Sequence, residues 1–425
     1  MQDVLIVGAG SRGLTVYADY IARHPDQFRL VGVSEPRAYY REETARRHRL
    51  APERCWSDWR ELLEQPQLAP AVILATQDRD HVEPALALME RGYDLLLEKP
   101  MAPDLEQCRQ LQQASRRHQR LMVVAHVLRY TPYFKQLKSL VNSGVLGQLV
   151  TLRHFEPVLF WHQAHSFVRG NWRKTADSAP MILAKSCHDL DMLCYLVDRE
   201  PVRVASLGGL SHFSREHQPA GASDRCSDCL YREQGCPYSA PRFYLNLQRS
   251  GALGWPLDTI TSDTSEAGVL EALASGPYGR CVYACDNDVV DHQVVAVEFA
   301  GGISATFTMT AFAKERLRET ELLGSHAQLS GDGYKITLRP FGDLPAPLPD
   351  QRGQTQANGD IVWDFSHVPN HGHSGGDDGL MDFFSECLQD REKALQSRLS
   401  EETLRGHALC FAAEQARLEN RLLTF

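Results

Sequence analysis

The stretch VLIVGAGSRG, residues 4–13, decides the fold. Its first four residues are apolar without a break, lacking both the 3.6-residue period of an amphipathic helix and the alternation of a half-exposed strand. That is the pattern of a strand buried on both faces of a parallel sheet. The run ends in a Gly-x-Gly-x-x-Gly turn: Gly8 permits the tight turn, Gly10 lets a pyrophosphate approach the backbone, and Gly13 allows a helix to pack on the strand. Ser11 and Arg12 fill the variable places of the turn and are expected at the cofactor. A helical stretch, LTVYADYIARHP, follows, and then a second strand, FRLVGVSE, closing on Glu35. An acid there accepts hydrogen bonds from adenosine ribose hydroxyls and repels a 2'-phosphate, so NAD is expected over NADP. Arg37, two residues on, pulls the other way.

The alternation continues through AVILAT and the helix HVEPALALMERG, YDLLLEKPMA and the helix LEQCRQLQQASRRH, then LMVVAH. Residues 1–125 are therefore expected to form a doubly wound parallel sheet with ligands at the carboxyl ends of its strands. Thr76, Gln77, His81, Glu98, Lys99 and His126 fall at or just past such ends. Of these, Thr76, His81, Glu98 and Lys99 are expected at the cofactor. Residues 126–425 are expected to form a second domain, with a Cys-rich insertion at about 205–290.

Composition narrows the function. At 425 residues, the chain can build two cores. Its 45 basic and 54 acidic residues, with no long basic run, lack the footprint of a nucleic-acid binder. No apolar run approaches the roughly 18 residues that a membrane span needs. The chain enters a strand at once, without a charged leader, so a cytoplasmic protein is expected. Eleven cysteines, an odd and scattered set, suggest buried thiols or metal ligands rather than disulfides.

Several motifs in order, GAGSRG, ATQDRDHVEPALALMERG, EKP at 98–100, RY at 129–130 and SGVLGQLV at 143–150, resemble the glucose-fructose oxidoreductase / inositol 2-dehydrogenase / rhizopine-catabolism (Gfo/Idh/MocA) family. The resemblance implies an α/β protein: an N-terminal Rossmann domain and a C-terminal α/β domain with an open, mainly antiparallel sheet. Because that sheet often forms oligomer contacts, a homodimer or homotetramer is implied. It also implies chemistry on sugars, cyclitols or related polyols, with Arg129 and Tyr130 near the substrate. By the family pattern Lys99 lies beside the nicotinamide and the substrate hydroxyl, and Pro100 often follows a cis peptide. A lysine near the cofactor's positive ring has its pKa lowered by like charge and burial, which poises it for proton transfer.

The family motif G-G-x-x-x-D-x-G-x-H-x-x-D has its counterpart in SAPMILAKSCHDLD, residues 178–191. His188 and Asp191 keep their places, but Ala184 replaces the first aspartate and Lys185 follows it. His188 is expected to be catalytic. Lys185 is expected in the site, either binding an anionic or heavily hydroxylated substrate or sharing the acid/base role with Lys99. Asp191 is a structural cap or a participant.

Two flanking stretches point to the same pocket. HQAHSFVRGNWRK, residues 162–174, offers His165, Arg169, Trp172 and Arg173; HGHSGGDDGLMDFF, residues 371–384, offers His373 and Asp377. Arginines clamp anionic groups, and a tryptophan presents a face to a sugar ring. The alternatives are a charged loop wrapped around the nucleotide domain and a glycine-rich hinge. His371 reads as a surface residue.

RCSDCLYREQGC, residues 225–236, spaces Cys226, Cys229 and Cys236 as C-x2-C-x6-C, and Cys281 and Cys285 follow. Three close thiols and a distant one suit a structural zinc, with Cys281 as the fourth ligand. Free thiols remain an alternative, as does an iron–sulfur centre, although the usual ferredoxin spacing is absent. Residues around the Gly-Gly at 301–302 read as a β-hairpin, 340–370 as a long surface loop, and EETLRGHALCFAAEQARLENRLL as an amphipathic final helix.

The expected activity is NAD-dependent oxidation of a sugar or polyol: hydride transfer between a ring carbon and nicotinamide, with Lys99 or His188 taking the hydroxyl proton. A second class also fits the resemblance. An NAD-dependent glycosidase oxidises transiently, eliminates the aglycone and returns the hydride, with no net redox.

Overall fold

The computed structural model describes residues 1–314, 317–369, 372–397 and 399–425; His371 lies outside them. Strand β1 (Gln2–Val7) lies inside a six-stranded sheet with β2 (Phe28–Ser34), β3 (Cys55–Trp56), β4 (Ala71–Leu74), β5 (Asp94–Leu97) and β6 (Met122–Val124). Every pairing is parallel and the order is β3-β2-β1-β4-β5-β6. Val4 and Ile6 pack into a core on one face, Leu5 and Val7 into another on the opposite face. Burial on both sides is why the run has no polar residue. The sheet order reverses between β1 and β4, and such a switch opens a crevice at the strands' carboxyl ends. One face is completed from far along the chain: Leu380, Met381 and Phe384, on the helix Gly372–Gln389, pack with Val4 and Ile6.

The second sheet has ten strands: β7 (Leu149–Leu159), β8 (Pro201–Gly209), β9 (His292–Phe299), β10 (Ile303–Ala313), β11 (Glu319–Gly324), β12 (Ala327–Gly331), β13 (Lys335–Pro340), β14 (Gln354–Thr355), β15 (Ile361–Asp364) and β16 (Leu423–Thr424). Their order is β14-β15-β13-β12-β11-β7-β10-β9-β8-β16, antiparallel except for β7 with β10. The expected hairpin is β9–β10, turning on Gly301 and Gly302, both at positive φ. Along β7, Leu152, His154, Glu156 and Val158 are buried while Arg153 is exposed and Thr151 and Phe155 are part-exposed, the period-2 pattern of a sheet with one covered face. The helices Cys187–Val197 and Leu399–Glu419 supply that cover: Leu190, Leu193 and Leu196 meet Leu409, Cys410 and Ala413 in the largest core.

The expected loop at 340–370 needs correction, because it carries β14 and β15. Trp363 in β15 is fully buried, and the strand pairs with β13. A four-residue strand set among prolines and glycines is too short to show a period. The segment between β8 and β9 holds no named strand. It folds around two small cores, one of Cys226, Tyr244, Val269 and Leu273, the other of Val168, Phe213, Tyr238 and Val282. Among the described residues no helix is long and apolar enough to cross a membrane.

Candidate active site

The glycine turn has the shape its sequence demands. Gly8 sits at φ +89° and donates its N–H to the Ser34 carbonyl at 2.8 Å. A Cβ there would lie 2.5 Å from the Ala75 carbonyl oxygen, and one on Gly13 would lie 2.0 Å from that of Gly8. Gly10 is different: a Cβ would meet only the tip of Arg37, at 3.3 Å, so the turn's mouth is open to a ligand. Glu35 ends β2 beside it, accepting from the Ala9 N–H at 2.8 Å, the Arg37 N–H at 3.0 Å and Arg37 Nε at 2.7 Å. Burial pushes this carboxyl up, but the Arg37 hydrogen bonds and charge outweigh it and hold Glu35 below the ordinary carboxylate range. An open backbone turn next to an ionised strand-end carboxylate fits a dinucleotide.

The other cofactor-side residues divide. Ser11 is exposed on the turn and Thr76 Oγ1 donates to the Asp80 carbonyl at 2.9 Å. Arg12 points inward instead, with Nε 2.6 Å from Glu98 and Nη2 2.9 Å from Asp377. Tyr17 donates to the same Glu98 oxygen, and the Lys99 N–H takes the other at 3.1 Å. Arg12 and Glu98 therefore brace the turn against β5 and spend their charge on each other. His81 also departs from expectation: it is wholly buried, with Nδ1 2.7 Å from the Pro100 carbonyl and Nε2 3.3 Å from that of Thr76. It joins two cleft loops and offers no face to a ligand.

Lys99 stands at the end of β5, before a cis bond to Pro100, and reaches across the cleft to donate to the Ala184 carbonyl at 2.8 Å. A backbone oxygen thus partners the lysine at the position where the family motif carries aspartate. Four residues on, in the first turn of the helix Cys187–Val197, His188 is buried and its Nδ1 has no hydrogen-bond partner. Burial, then the charges of Lys99, His373, His126 and Arg318, push its imidazole well below the usual value, so it is neutral near pH 7. The His373 ring lies 5.9 Å away, delivered by three successive left-handed residues, His373, Ser374 and Gly375. His373 Nδ1 is 3.1 Å from Asp377. Burial raises the Asp377 carboxyl, but Arg12 and His373 outweigh it and keep it ionised.

Lys185 enters a network the sequence did not announce. Its Nζ is 3.2 Å from Glu156 Oε1; Glu156 Oε2 is 2.9 Å from Arg318 Nε, which also lies 2.5 Å from Asp189 Oδ1; and His154 Nε2 is 3.1 Å from that oxygen. Burial raises Asp189, yet Arg318 and His154 hold it well below the carboxylate range. The signal was present: His154 and Glu156 are polar residues at inward positions of an alternating strand, and a buried charge requires a partner. Asp189 and Arg318 carry no comparable pattern.

Several expected substrate residues are engaged elsewhere. Arg129 is buried, paired through two nitrogens with Asp191 at 2.7 and 2.6 Å and with Glu402 at 3.0 Å. It is a clamp between helices, and Asp191 is its structural partner. Tyr130 packs on Phe383, ring centroids 4.8 Å apart. Trp172 Nε1 donates to Asp78 at 2.9 Å, tying the second sheet's domain to the loop after β4, and Arg173 pairs with Asp286 at 3.0 Å. His165 is buried, bonded to the Tyr244 hydroxyl at 2.6 Å and stacked on Tyr278. Arg169 donates to the carbonyls of Arg280 and Tyr238 and to Cys226 Sγ. His165 and Arg169 hold the insertion in place, so neither faces a substrate.

All eleven cysteines are free. Cys226, Cys229, Cys236 and Cys281 line one cavity, whereas Cys285 donates to the Cys281 carbonyl and stands outside its lining. Among the described residues no group of three or more His, Cys, Asp or Glu side chains is arranged to hold a single metal ion, so the expected zinc finds no support.

Two family models match in tandem: the oxidoreductase family's NAD-binding Rossmann fold over residues 2–126 and its C-terminal alpha/beta domain over residues 138–342. The chain belongs to the Gfo/Idh/MocA oxidoreductase family. Within it, the chain is similar to the putative oxidoreductase YteT of Bacillus subtilis, 23% identical over 73% of this chain and 70% of that protein. Among solved structures, levoglucosan dehydrogenase in complex with NADH and levoglucosan superposes with a TM-score of 0.70 at 16% identity, covering 100% of this chain and 99% of that one. Scyllo-inositol dehydrogenase from Lactobacillus casei, with bound NAD(H) and scyllo-inositol, gives 0.65 at 15%, covering 100% and 99%. At such identities the structures establish the Gfo/Idh/MocA fold, and NAD binding follows from the matched Rossmann model.

Proposed function

We propose that this chain is an NAD-dependent dehydrogenase of a neutral, hydroxyl-rich substrate, a sugar or a cyclitol, oxidising one secondary alcohol. The observation that carries the reading is the pairing of Lys99, reaching over the cleft, with a buried neutral imidazole at His188. Bound NAD supplies the two-electron oxidant for the alcohol carbon. Gly10 and Glu35 receive its pyrophosphate and adenosine ribose. Lys99 spends one donor on Ala184 and directs the others at the substrate oxygen, stabilising the negative charge that builds there. His188, neutral before the reaction, accepts the hydroxyl proton on its imidazole, and Asp377 behind His373 offsets the charge gained.

Lys185, close to His188 in the chain, forms a matched pair with Glu156, the lysine 13% exposed and the glutamate 1%. A balanced pair of this kind hydrogen-bonds hydroxyls and attracts no net anion, which narrows the choice toward neutral polyols. The outer face of the second sheet exposes Leu207, Val294 and Phe312, which supports self-association through that face.

The test is turnover of a panel of cyclitols, aldoses, anhydro-sugars and aryl glycosides with NAD. NADH formation is the expected result, with Lys99→Met and His188→Ala each lowering kcat by about 10²- to 10⁴-fold while NAD affinity is kept. Aglycone release from aryl glycosides without accumulating NADH would replace this reading with the redox-neutral glycosidase.

A further inference from the structure

His126 lies just past the carboxyl end of β6, 1% exposed, and neither of its ring nitrogens has a hydrogen-bond partner among the described residues. A buried polar group without a partner is costly, so its place in the fold needs a reason. Two other imidazoles flank it: the His188 ring is 6.0 Å away and nearly perpendicular, the His407 ring 5.2 Å away. His407 is already satisfied, its Nδ1 on the Thr403 carbonyl at 3.0 Å and its Nε2 taking the Met101 N–H at 3.0 Å. Asp191 Oδ2 is 3.8 Å from His126 Nδ1, but both Asp191 oxygens bond Arg129. Burial, then the charges of Arg129 and Lys99, outweigh Glu98 and hold the His126 imidazole well below its usual value, so it is neutral, with one N–H and one lone pair. The N–H belongs on Nδ1, beside the Asp191 carboxylate, which leaves Nε2 as the acceptor.

On the dehydrogenase reading, we infer that His126 is a positioning residue for His188: its Nε2 accepts the His188 Nδ1–H and so keeps His188 Nε2 as the nitrogen that takes the substrate proton. Of the other groups around His188, Lys99 and Arg318 present donors only, and His373 is engaged with Asp377 at 3.1 Å. A swing of either ring that shortens their separation by about 1 Å closes the N–H···N bond. The step balances without a relay. The substrate O–H bond breaks, the hydride leaves carbon for the bound NAD, an N–H bond forms at His188 Nε2, and no proton passes on to His126. The His126 lone pair then faces an imidazolium, and a hydrogen bond from a charged donor is stronger than the neutral one it replaces. The support therefore grows as the proton arrives, and an interaction stronger in the transition state than in the ground state accelerates the reaction.

The experiment combines steady-state kinetics of the full chain on an oxidised polyol with nitrogen NMR of protein labelled at histidine. His126→Phe keeps a ring and loses the acceptor; it should lower kcat by about 10- to 150-fold and leave KM within a few-fold. His126→Gln, which carries an amide oxygen near the place of Nε2, should recover most of that loss. In a His188→Ala background, His126→Phe should cost less than about two-fold more, because the residue acts through His188. In the spectrum, with the His188 signals assigned by their loss in His188→Ala, His188 should carry its proton on Nδ1 in the unmodified protein and in His126→Gln. An additive loss in the double variant, or His188 protonated on Nε2, overturns the inference. If no polyol is oxidised, it is the dehydrogenase reading that fails, and the His188 tautomer then decides the role of His126 alone, as it does if His126→Phe fails to fold.

Discussion

Replacing Lys185 by methionine separates binding from catalysis in this pocket. The change removes an ammonium 3.2 Å from Glu156, a carboxylate left with Arg318 at 2.9 Å. Arg318 must also serve Asp189 at 2.5 Å, so two buried acids would share one guanidinium. Breaking a buried pair costs about 3–5 kcal/mol. The retained Arg318 contact and the 13% exposure of Lys185 place this case near the low end, about 3 kcal/mol. Glu156→Gln removes the orphaned charge, so the double variant should recover part of the loss, a coupling of roughly 1–2 kcal/mol in urea unfolding. For activity, one charged hydrogen bond to a substrate hydroxyl is worth about 1.5–3 kcal/mol, or roughly 10- to 150-fold in KM. As a contact made equally in ground and transition states, it should leave kcat within a few-fold. Steady-state kinetics at saturating substrate decides: if Lys185→Met abolishes turnover while Lys99→Met is mild, Lys185 is the principal base and the roles assigned to Lys99 and His188 fail.

The remaining expectations concern cofactor choice, acid stability and the helix clamp. NAD should bind more tightly than NADP, and Glu35→Ser, which frees Arg37 for a 2'-phosphate, should narrow or reverse the preference by about 1.5–3 kcal/mol; equal affinities in calorimetry of the unmodified protein would refute the role of Glu35. His165 and His407 are pushed down to about 3, the first by burial and Arg169, the second by burial and His126. Their folded values lie below the unfolded one, so the unfolded chain takes up protons first as pH falls. Stability is then full above about pH 6.5 and drops by about 1.4 kcal/mol per pH unit for each histidine until about pH 3, which urea midpoints at neutral and mildly acid pH should show. Asp191→Ala leaves the Arg129 charge buried with Glu402 alone and should cost about 3–5 kcal/mol of stability, with KM unchanged in the folded fraction; a large kcat loss at full stability would return Asp191 to the chemistry.

The nucleotide half was legible because its signals are local. A doubly buried strand must be apolar throughout, and the steric demands on Gly8 and Gly13 leave no other residue type. Lys99 at a strand end and His188 in a first helical turn carry local signals of the same kind, while Lys185 follows the short helix Met181–Ala184. Basic and aromatic residues were read less well. Arg129, Arg169, Trp172 and His165 take partners 62, 57, 94 and 79 residues away, and nothing in their own neighbourhood names Asp191, Cys226, Asp78 or Tyr244. A charge-rich loop looks the same whether its arginines await a ligand or anchor an insertion. His154 and Glu156 show what a closer reading yields, since their inward places on β7 require buried counter-charges even before Arg318 and Asp189 are known.

The parallel pairing of β7 with β10 bears on the order in which the molecule assembles. Thr151 and Ser304 face each other across it, 153 residues apart, and the strand on the other flank, β11, lies later still. Strand β7 therefore emerges from the ribosome with both of its edges unsatisfied. It must wait through the whole cysteine-bearing insertion before a partner exists, and contacts of such long sequence separation form slowly. The nucleotide half waits as well, because one face of its sheet is closed by Leu380, Met381 and Phe384. Neither core is complete until most of the chain has been made, so nascent chains cut short anywhere before the helix Gly372–Gln389 expose apolar surface in both halves and become substrates for chaperones and proteases.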